Sequence, residues 1–403
     1  MEHRNDARKT SLLFAFTYMI SYMTRINFGA VISEMVSATG FGRASLAAAI
    51  TCSSVTYGCG QLVSGFCGDH VRPKLLCLGG LVTTGIVNLL IPLCGSAALI
   101  TGLWGINGLA QAFMWPPIVK LMTELMSDEE YKHASVVVSW GSSVGTIVMY
   151  LVSPFFITFM SWRSVFFVCG FLGLAAAAIW QRKCIDVPAG GARSASVKAK
   201  PSGTVFTSLT MFIMLAIVLQ GMLRDGVTTW MPSLISDTYN LSNSVSILTG
   251  VALPIFGIIC FRAAELLYRT APDNPLKCSG IIFAVGTAAA AVLCTVCGKN
   301  AALTVVFSAL LTGCMHGVNL LLICMIPPYY KKHGGVSTVS GLLNSCTYIG
   351  SSISTYGIAV ISEKFGWNTT VFIWLVIALA GAAVCFVCVR PWRNFVRSEN
   401  RLR

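Results

Sequence analysis

The 403-residue chain is predicted to be an all-α polytopic membrane protein, with about twelve spanning helices in two pseudo-symmetric six-helix bundles. Three observations predict this. Apolar residues make up 55% of the chain and charged residues only 11%, a balance foreign to soluble domains. Apolar runs recur near 11–33, 43–67, 75–96, 98–126, 134–158, 164–182, 204–232, 243–268, 278–297, 301–328, 335–361 and 369–389, each near the ~20 residues that cross a bilayer as a helix. An arginine stands inside the first run and another inside the seventh, Arg25 and Arg224, 199 residues apart and so about half a chain.

Residues 1–10 form a basic tail, and the first run follows it. That run is too long for a cleavable signal peptide, and no small-residue cleavage site follows it. Arg25 sits past its middle, where a charge costs a few kcal/mol and marks a functional position. Tyr18, Tyr22 and Arg25 stand at i, i+4 and i+7, which places two phenols and a guanidinium on one helix face. Such a face lines a polar cavity or meets another helix. In the fourth run Gly102, Gly105 and Gly108 recur, but no strand precedes them, so they are not a nucleotide-binding loop. Gln111, Ser143, Gln220, Asn319 and Asn344 are polar positions inside runs, whose commoner use is to bond helices together.

The apolar pattern stops at Gln181–Gly203, where Pro, Gly, Ser, Ala and Lys replace it. This composition suits a flexible linker, assigned to residues 183–203 between bundles at 11–182 and 204–389, with a C-terminal tail at 390–403. Weak repeats support the division. Trp162 and Trp367 open the sixth and twelfth helices, 205 residues apart. Gly145 and Gly350 show the same spacing, and Pro116-Pro117 is matched by Pro327-Pro328, 211 residues on. Two parallel six-helix halves are a known transporter plan, with the substrate near the midplane between them.

The net charge of +13 points to topology rather than nucleic acid. With the N-terminus in the cytoplasm, only Arg43, Arg163, Lys299 and Lys364 fall outside, and Arg25 and Arg224 fall within the membrane. The other 22 of the 28 Lys and Arg lie inside, the positive-inside asymmetry that puts both termini in the cytoplasm. The basic tails read as topology anchors that also meet anionic lipid. Sixteen cysteines lie mostly in apolar runs, and the pairs Cys294/Cys297 and Cys385/Cys388 lack neighbouring His or carboxylate ligands. They read as small apolar residues rather than zinc ligands. No Walker sequence, nucleophile elbow or metal cluster is apparent, so neither an enzyme nor a cofactor is expected.

The stretch Gly65-Phe66-Cys67-Gly68-Asp69-His70-Val71-Arg72-Pro73-Lys74 resembles the cytoplasmic signature of the major facilitator superfamily. The resemblance implies that fold, and a gate built on Asp69, Arg72 and Lys74. At the matching place in the second half, Phe261 replaces the expected Gly and Glu265 the Asp. The stretches Tyr22–Phe28, Met114–Pro117, Leu223–Gly226 with Trp230, and Lys364–Trp367 resemble motifs of the organophosphate:phosphate antiporter family, which includes bacterial glycerol-3-phosphate and hexose-phosphate carriers. By that resemblance Arg25 and Arg224 match the arginines that clamp the phosphate, and Tyr18, Tyr22, Tyr57 and Tyr348 match tyrosines lining the cavity. The chain departs from the glycerol-3-phosphate carriers at Ile26 and Gln61, where lysines are common, and at Ser142, where a cavity histidine stands. His316 occupies a place where the family has tyrosine; it reads either as a bonded core residue or as a group titrating near neutral pH.

The chemistry leads part of the way alone. A phosphate dianion matches two guanidinium forks, each offering bidentate charge-assisted bonds. Asp225 follows Arg224 directly and is expected to point about 100° away on the helix, which favours anion binding over the alternative that each arginine pairs with a carboxylate in the bundle. The expected function is secondary transport of phosphorylated organic anions in exchange for inorganic phosphate, in a monomer of the plasma membrane. The alternatives are a proton-coupled symporter of sugar acids or other carboxylates, and a transporter-like membrane sensor of hexose phosphate.

Overall fold

The computed structural model describes residues 2–41, 43–189, 207–241, 249–270, 274–333 and 335–401, and side chains 1–6, 33, 42–44, 47, 154, 332–334, 355–356, 359 and 399–403 lie outside the description. Most of the expected linker, from residue 190 on, is likewise outside it. Among the described residues the chain is helical and carries no strand.

The helices are α1 (Glu2–Thr39), α2 (Arg43–His70), α3 (Pro73–Leu90), α4 (Ala97–Ala112), α5 (Trp115–Leu125), α6 (Asp128–Phe159) and α7 (Trp162–Lys183). They continue as α8 (Ser208–Tyr239), α9 (Ala252–Thr270), α10 (Pro275–Val296), α11 (Ala301–Asn319) and α12 (Val336–Arg401). Two features reconcile these with the twelve apolar runs. The helices α4 and α5 make one span, Ala97–Leu125, interrupted before Pro116 and Pro117, whose missing N–H groups suit the first turn of a new helix. Conversely, α12 is two helices that meet at Gly366, whose φ of 78° is left-handed backbone. Eight spans among the described residues are long and apolar enough to cross a membrane. The more polar α1, α2 and α9, and the part of α12 before Val360, are not among them.

Helix boundaries follow from short polar side chains. Ser96, Ser161, Thr207, Asn274 and Asn300 each accept a hydrogen bond from a backbone N–H in the turn that follows. Ser127 and Glu130 form a capping box at the start of α6, and Asp128 and Glu129 between them add negative charge at the positive helix end. Asn240, with φ of 52°, closes α8. Trp162 does open α7, and Trp367 follows the Gly366 break. Pro327 and Pro328 open a 3-10 turn (Pro327–His333) after a single π turn (Leu320–Cys324) ends α11. The described residues of the tails expected at 1–10 and 390–403 are continuations of α1 and α12.

The chain divides into two compact units. The first holds the described residues of Met1–Lys200 together with Tyr330–Ser345, and the second holds those of Pro201–Tyr329 with Cys346–Arg403. No motif or composition change in the chain marks Tyr330–Ser345 as part of the first unit. In the first unit α1 packs on α6 and α7, α2 on α4, and α3 on α7. Its core is aromatic: Phe28 lies 4.9 Å from Trp104 and 5.9 Å from Phe166, centroid to centroid. In the second unit α11 is packed by α8, α9 and α10, with Met231, Ile235, Leu253 and Ala309 buried together.

The spacing of the glycine repeat is matched by its contacts. Gly145 of α6 lies against α1, where an added Cβ would stand 2.6 Å from the carbonyl oxygen of Met19. Gly350 of α12 lies against α8, where its Cβ would stand 2.1 Å from the carbonyl oxygen of Val218. Met19 precedes Arg25 by six residues, and Val218 precedes Arg224 by six. Each arginine-bearing helix is therefore approached at the same register by a glycine, within its own unit.

Candidate substrate-binding site

In the first unit Arg25 is half-buried on α1. Its guanidinium carbon lies 4.0 Å from the ring centroid of Tyr57 on α2 and 5.6 Å from that of Tyr22. A guanidinium over a phenol face gains about 0.5–2 kcal/mol, more when desolvated, so the rings offset part of the cost of a buried charge. Tyr18 continues the aromatic wall, 5.0 Å from Tyr22 and 5.2 Å from Trp115. The helical spacing of Tyr18, Tyr22 and Arg25 thus produces the shared face expected of it. Trp115 stands in a motif stretch of the sequence, but its place beside Tyr18 depends on packing between helices that no local pattern shows.

Beneath this face lies a closed network of buried polar side chains. Gln111 donates to the hydroxyls of Thr24 and Thr84, at 2.9 and 2.8 Å, and accepts from Ser21. Asn27 donates to Asn88 at 2.7 Å, while Asn88 and Asn107 donate to the carbonyl of Thr24, at 3.1 and 3.3 Å. Thr84 donates to Asn107. These bonds tie α1 to α3 and α4 one residue away from Arg25. Buried amides need such partners, and intramembrane bonds of this kind contribute ~1 kcal/mol each at most sites. Gln111 therefore bonds helices together, as do Gln220, which donates to the carbonyl of Met315 at 3.0 Å, and Asn344.

Gln61 and Ser142 are each bonded to neighbouring groups of the first unit. Gln61 is fully buried, donates to the carbonyl of Ala112 at 3.4 Å and accepts from Asn344 at 3.0 Å. Ser142 is half-buried and donates to the carbonyl of Ser139 at 2.7 Å.

The expected gate residues separate into two groups. Asp69 accepts from the backbone N–H groups of Ser337 and Thr338, at 3.0 and 2.7 Å. Its carboxylate thereby caps the first turn of α12, where the helix end is positive. Lys120, only 2% exposed, lies 3.6 Å from Asp69 and 3.8 Å from Glu124, and Lys331 lies 3.8 Å from Glu124. Arg72 and Lys74 instead tie down the end of α7. Arg72 pairs with the exposed Asp186 at 3.1 Å, and Lys74 donates to the carbonyl of Cys184 at 2.8 Å. Burial pushes the Cys184 thiol, just past the α7 span, up to about 12. In the second unit Glu265 is buried between Arg262 and Arg269 of its own helix, the latter at 2.8 Å.

In the second unit Arg224 overturns one expectation. Asp225 does not point away from it: Arg224 Nε and Nη2 donate to the two carboxylate oxygens at 2.7 and 2.9 Å. Side-chain length explains this, since the guanidinium swings round the helix far enough to cover the 100° between adjacent Cβ vectors. His316 of α11 lies against Phe261, ring centroids 5.4 Å apart, and against Gly257. It also lies within electrostatic reach of Arg224 and Asp225. Tyr348 is half-buried on α12, two residues before Gly350. All sixteen cysteines are free, and no cluster of three or more metal-ligating residues occurs among the described residues.

Comparison with known proteins places the chain in a family. A probable hexose phosphate transport protein of Chlamydia muridarum is 28% identical over 173 residues, covering 43% of this chain and 38% of that protein. The chain thus spans well under half the length of this relative. The membrane sensor protein UhpC of Salmonella typhimurium is 23% identical over 94% of this chain and 89% of its own. Among solved structures, the proton:xylose symporter XylE bound to 6-bromo-6-deoxy-D-glucose superposes with a TM-score of 0.74 at 12% identity, covering 96% of both chains, and so shares the fold. The sequence profile of the Major Facilitator Superfamily, whose members are integral membrane transporters rather than enzymes, matches residues 14–355. On this match over most of its length, the chain belongs to the Major Facilitator Superfamily.

Proposed function

We propose that this protein is a secondary transporter of phosphorylated organic anions, working by alternating access in exchange for inorganic phosphate, with Arg25 and Arg224 as the phosphate-binding groups. The observation that carries this reading is the repeated placement of the arginines. Each lies six residues beyond a glycine-contacted position of its helix, and each guanidinium is held by other side chains in its unit, the rings of Tyr57 and Tyr22 or the carboxylate of Asp225. An intramembrane arginine held this way is suited to an anion, and a phosphate offers the paired oxygens that a guanidinium fork engages bidentately. The hexose phosphate transport named for the chlamydial relative supports the substrate class. Tyr18, Tyr22, Tyr57, Tyr348 and His316 are proposed to contact the substrate, and Asp69 to act as the latch on α12. The arrangement is proposed to operate as a monomer in the plasma membrane, both termini cytoplasmic, on the charge asymmetry of the sequence.

The test uses proteoliposomes loaded with or without phosphate, following entry of labelled phosphate. Exchange predicts much faster entry into loaded vesicles; equal entry into both sinks the exchange mode. Arg25→Lys and Arg224→Lys keep the charge but lose the planar fork, so binding is expected to fall about tenfold or more. Wild-type binding by both variants sinks the clamp. A second reading, a sensor of phosphate esters, is favoured by the 94% coverage of the UhpC match. It predicts ligand binding with no transport in either vesicle.

A further inference from the structure

Adjacent helical residues project about 100° apart, so the backbone does not impose a contact between Arg224 and Asp225. The contact forms because both side chains turn toward each other, and it uses the whole Nε–Nη2 edge of the guanidinium at 2.7 and 2.9 Å. The pair is neither open to bulk water nor sealed, with the arginine side chain 15% exposed and the aspartate 26%. Ser351 of α12 is in hydrogen-bonding reach of the same carboxylate.

We propose that Asp225 is a resident counter-anion that sets the affinity threshold of the site: it fills the fork of Arg224 while the site is empty, and an incoming phosphate takes its place. The proposal rests on the reading that Arg224 binds phosphate. A carboxylate on the neighbouring residue is present at a very high effective concentration. It lowers the apparent affinity of every external anion by one common factor, the strength of the internal pair. Ligands with a modest intrinsic affinity, such as a monocarboxylate held by one fork, fall below the working range. A phosphate or phosphate ester, with more acceptor oxygens and up to two charges, stays within it. Selectivity for phosphate over sugar acids then arises from a threshold rather than from a contact to the organic part. The displaced carboxylate has a second partner waiting in Ser351.

The test compares the purified full-length wild type with Asp225→Asn, which keeps the side-chain shape, using inorganic phosphate and gluconate as probes in direct binding measurements. Phosphate is expected to bind at least about tenfold more tightly to the variant, the low end for a charged hydrogen-bonded pair that is partly exposed. Gluconate, silent against the wild type, is expected to become a measurable competitor. Infrared difference spectra supply an independent readout. Phosphate should shift a carboxylate stretch in the wild type, and the shift should be missing in Asp225→Asn. Unchanged or weaker phosphate binding by the variant overturns the proposal, because phosphate would then meet the Nη1–Nη2 edge with Asp225 still in place. A wild type without the phosphate-induced shift overturns it as well. Failure of the underlying reading is distinguishable, because the wild type alone would then bind no phosphate in the first measurement.

Discussion

Replacing Gly145 or Gly350 by alanine sets two opposing terms against each other, and the structure decides their sum. Alanine favours a helix over glycine by about 0.8–1.0 kcal/mol. The new methyl, however, would stand 2.6 Å from the Met19 carbonyl oxygen in Gly145→Ala and 2.1 Å from the Val218 carbonyl oxygen in Gly350→Ala. Ordinary contact begins near 3.4 Å, and the obstacle is backbone, which cannot rotate aside. The arginine-bearing helix must move back by most of an ångström or more, and overpacking of this kind costs about 1–3 kcal/mol. Both variants should therefore lose stability on balance, with Gly350→Ala losing more. Gly29, on the same helix as Arg25, has nothing within 4 Å of its added Cβ, so Gly29→Ala should gain up to about 1 kcal/mol from propensity alone. Thermal unfolding of the detergent-solubilised proteins reads the stabilities, and phosphate binding reads the displacement of Arg25 and Arg224. If Gly145→Ala and Gly350→Ala matched Gly29→Ala in both, the close approach of the glycines would have no energetic content.

Three other outcomes follow from particular contacts. Gln111→Leu leaves the hydroxyls of Ser21, Thr24 and Thr84 short of a partner, so stability should fall by about 1–3 kcal/mol; an unchanged unfolding midpoint would refute the network's role. Asp69→Asn keeps one acceptor oxygen for two N–H groups and removes the charge 3.6 Å from buried Lys120, a loss of about 2–4 kcal/mol. A cysteine placed at the fully buried Ser340 should then react with maleimide in that background and stay protected without it; equal protection refutes the latch. Cys184, whose thiol burial raises from 9.0 to about 12, should alkylate about a thousandfold more slowly at pH 8 than an ordinary thiol, with a rate still rising at pH 10; a plateau near pH 9 contradicts the shift.

What was legible in the sequence was whatever a single helix determines. Tyr18, Tyr22 and Arg25 share a face because their spacing is helical, and the break at Trp115-Pro116-Pro117 is written in the missing N–H groups of proline. The Gly145–Gly350 spacing was visible, but the helix each glycine approaches was not, since that depends on packing between distant segments. Asp225 departs from its expected direction because Cβ vectors do not fix where a long guanidinium side chain ends, and that of Arg224 folds back on its neighbour. Nothing local to Lys120 in the sequence marks it out, and only its burial beside Asp69 and Glu124 reveals a charge network. Arg72 and Lys74 were grouped with Asp69 by motif, yet three residues of chain are enough to turn them toward α7.

The attachment of Tyr330–Ser345 to the first unit has a consequence for how the protein is made. Asp69 and the amide groups it holds are separated by 268 and 269 residues. At the roughly 5–20 residues per second of chain synthesis, Asp69 and Lys120 leave the ribosome on the order of tens of seconds before Ser337 exists. Contacts of such sequence separation close last and slowly. The first unit therefore begins its life unfinished, with α2 carrying an unused acceptor, and is completed by a segment that arrives only after most of the second unit has been threaded into the bilayer. Synthesis rate and the insertion of late helices, rather than the folding of the first six, set when this protein becomes whole.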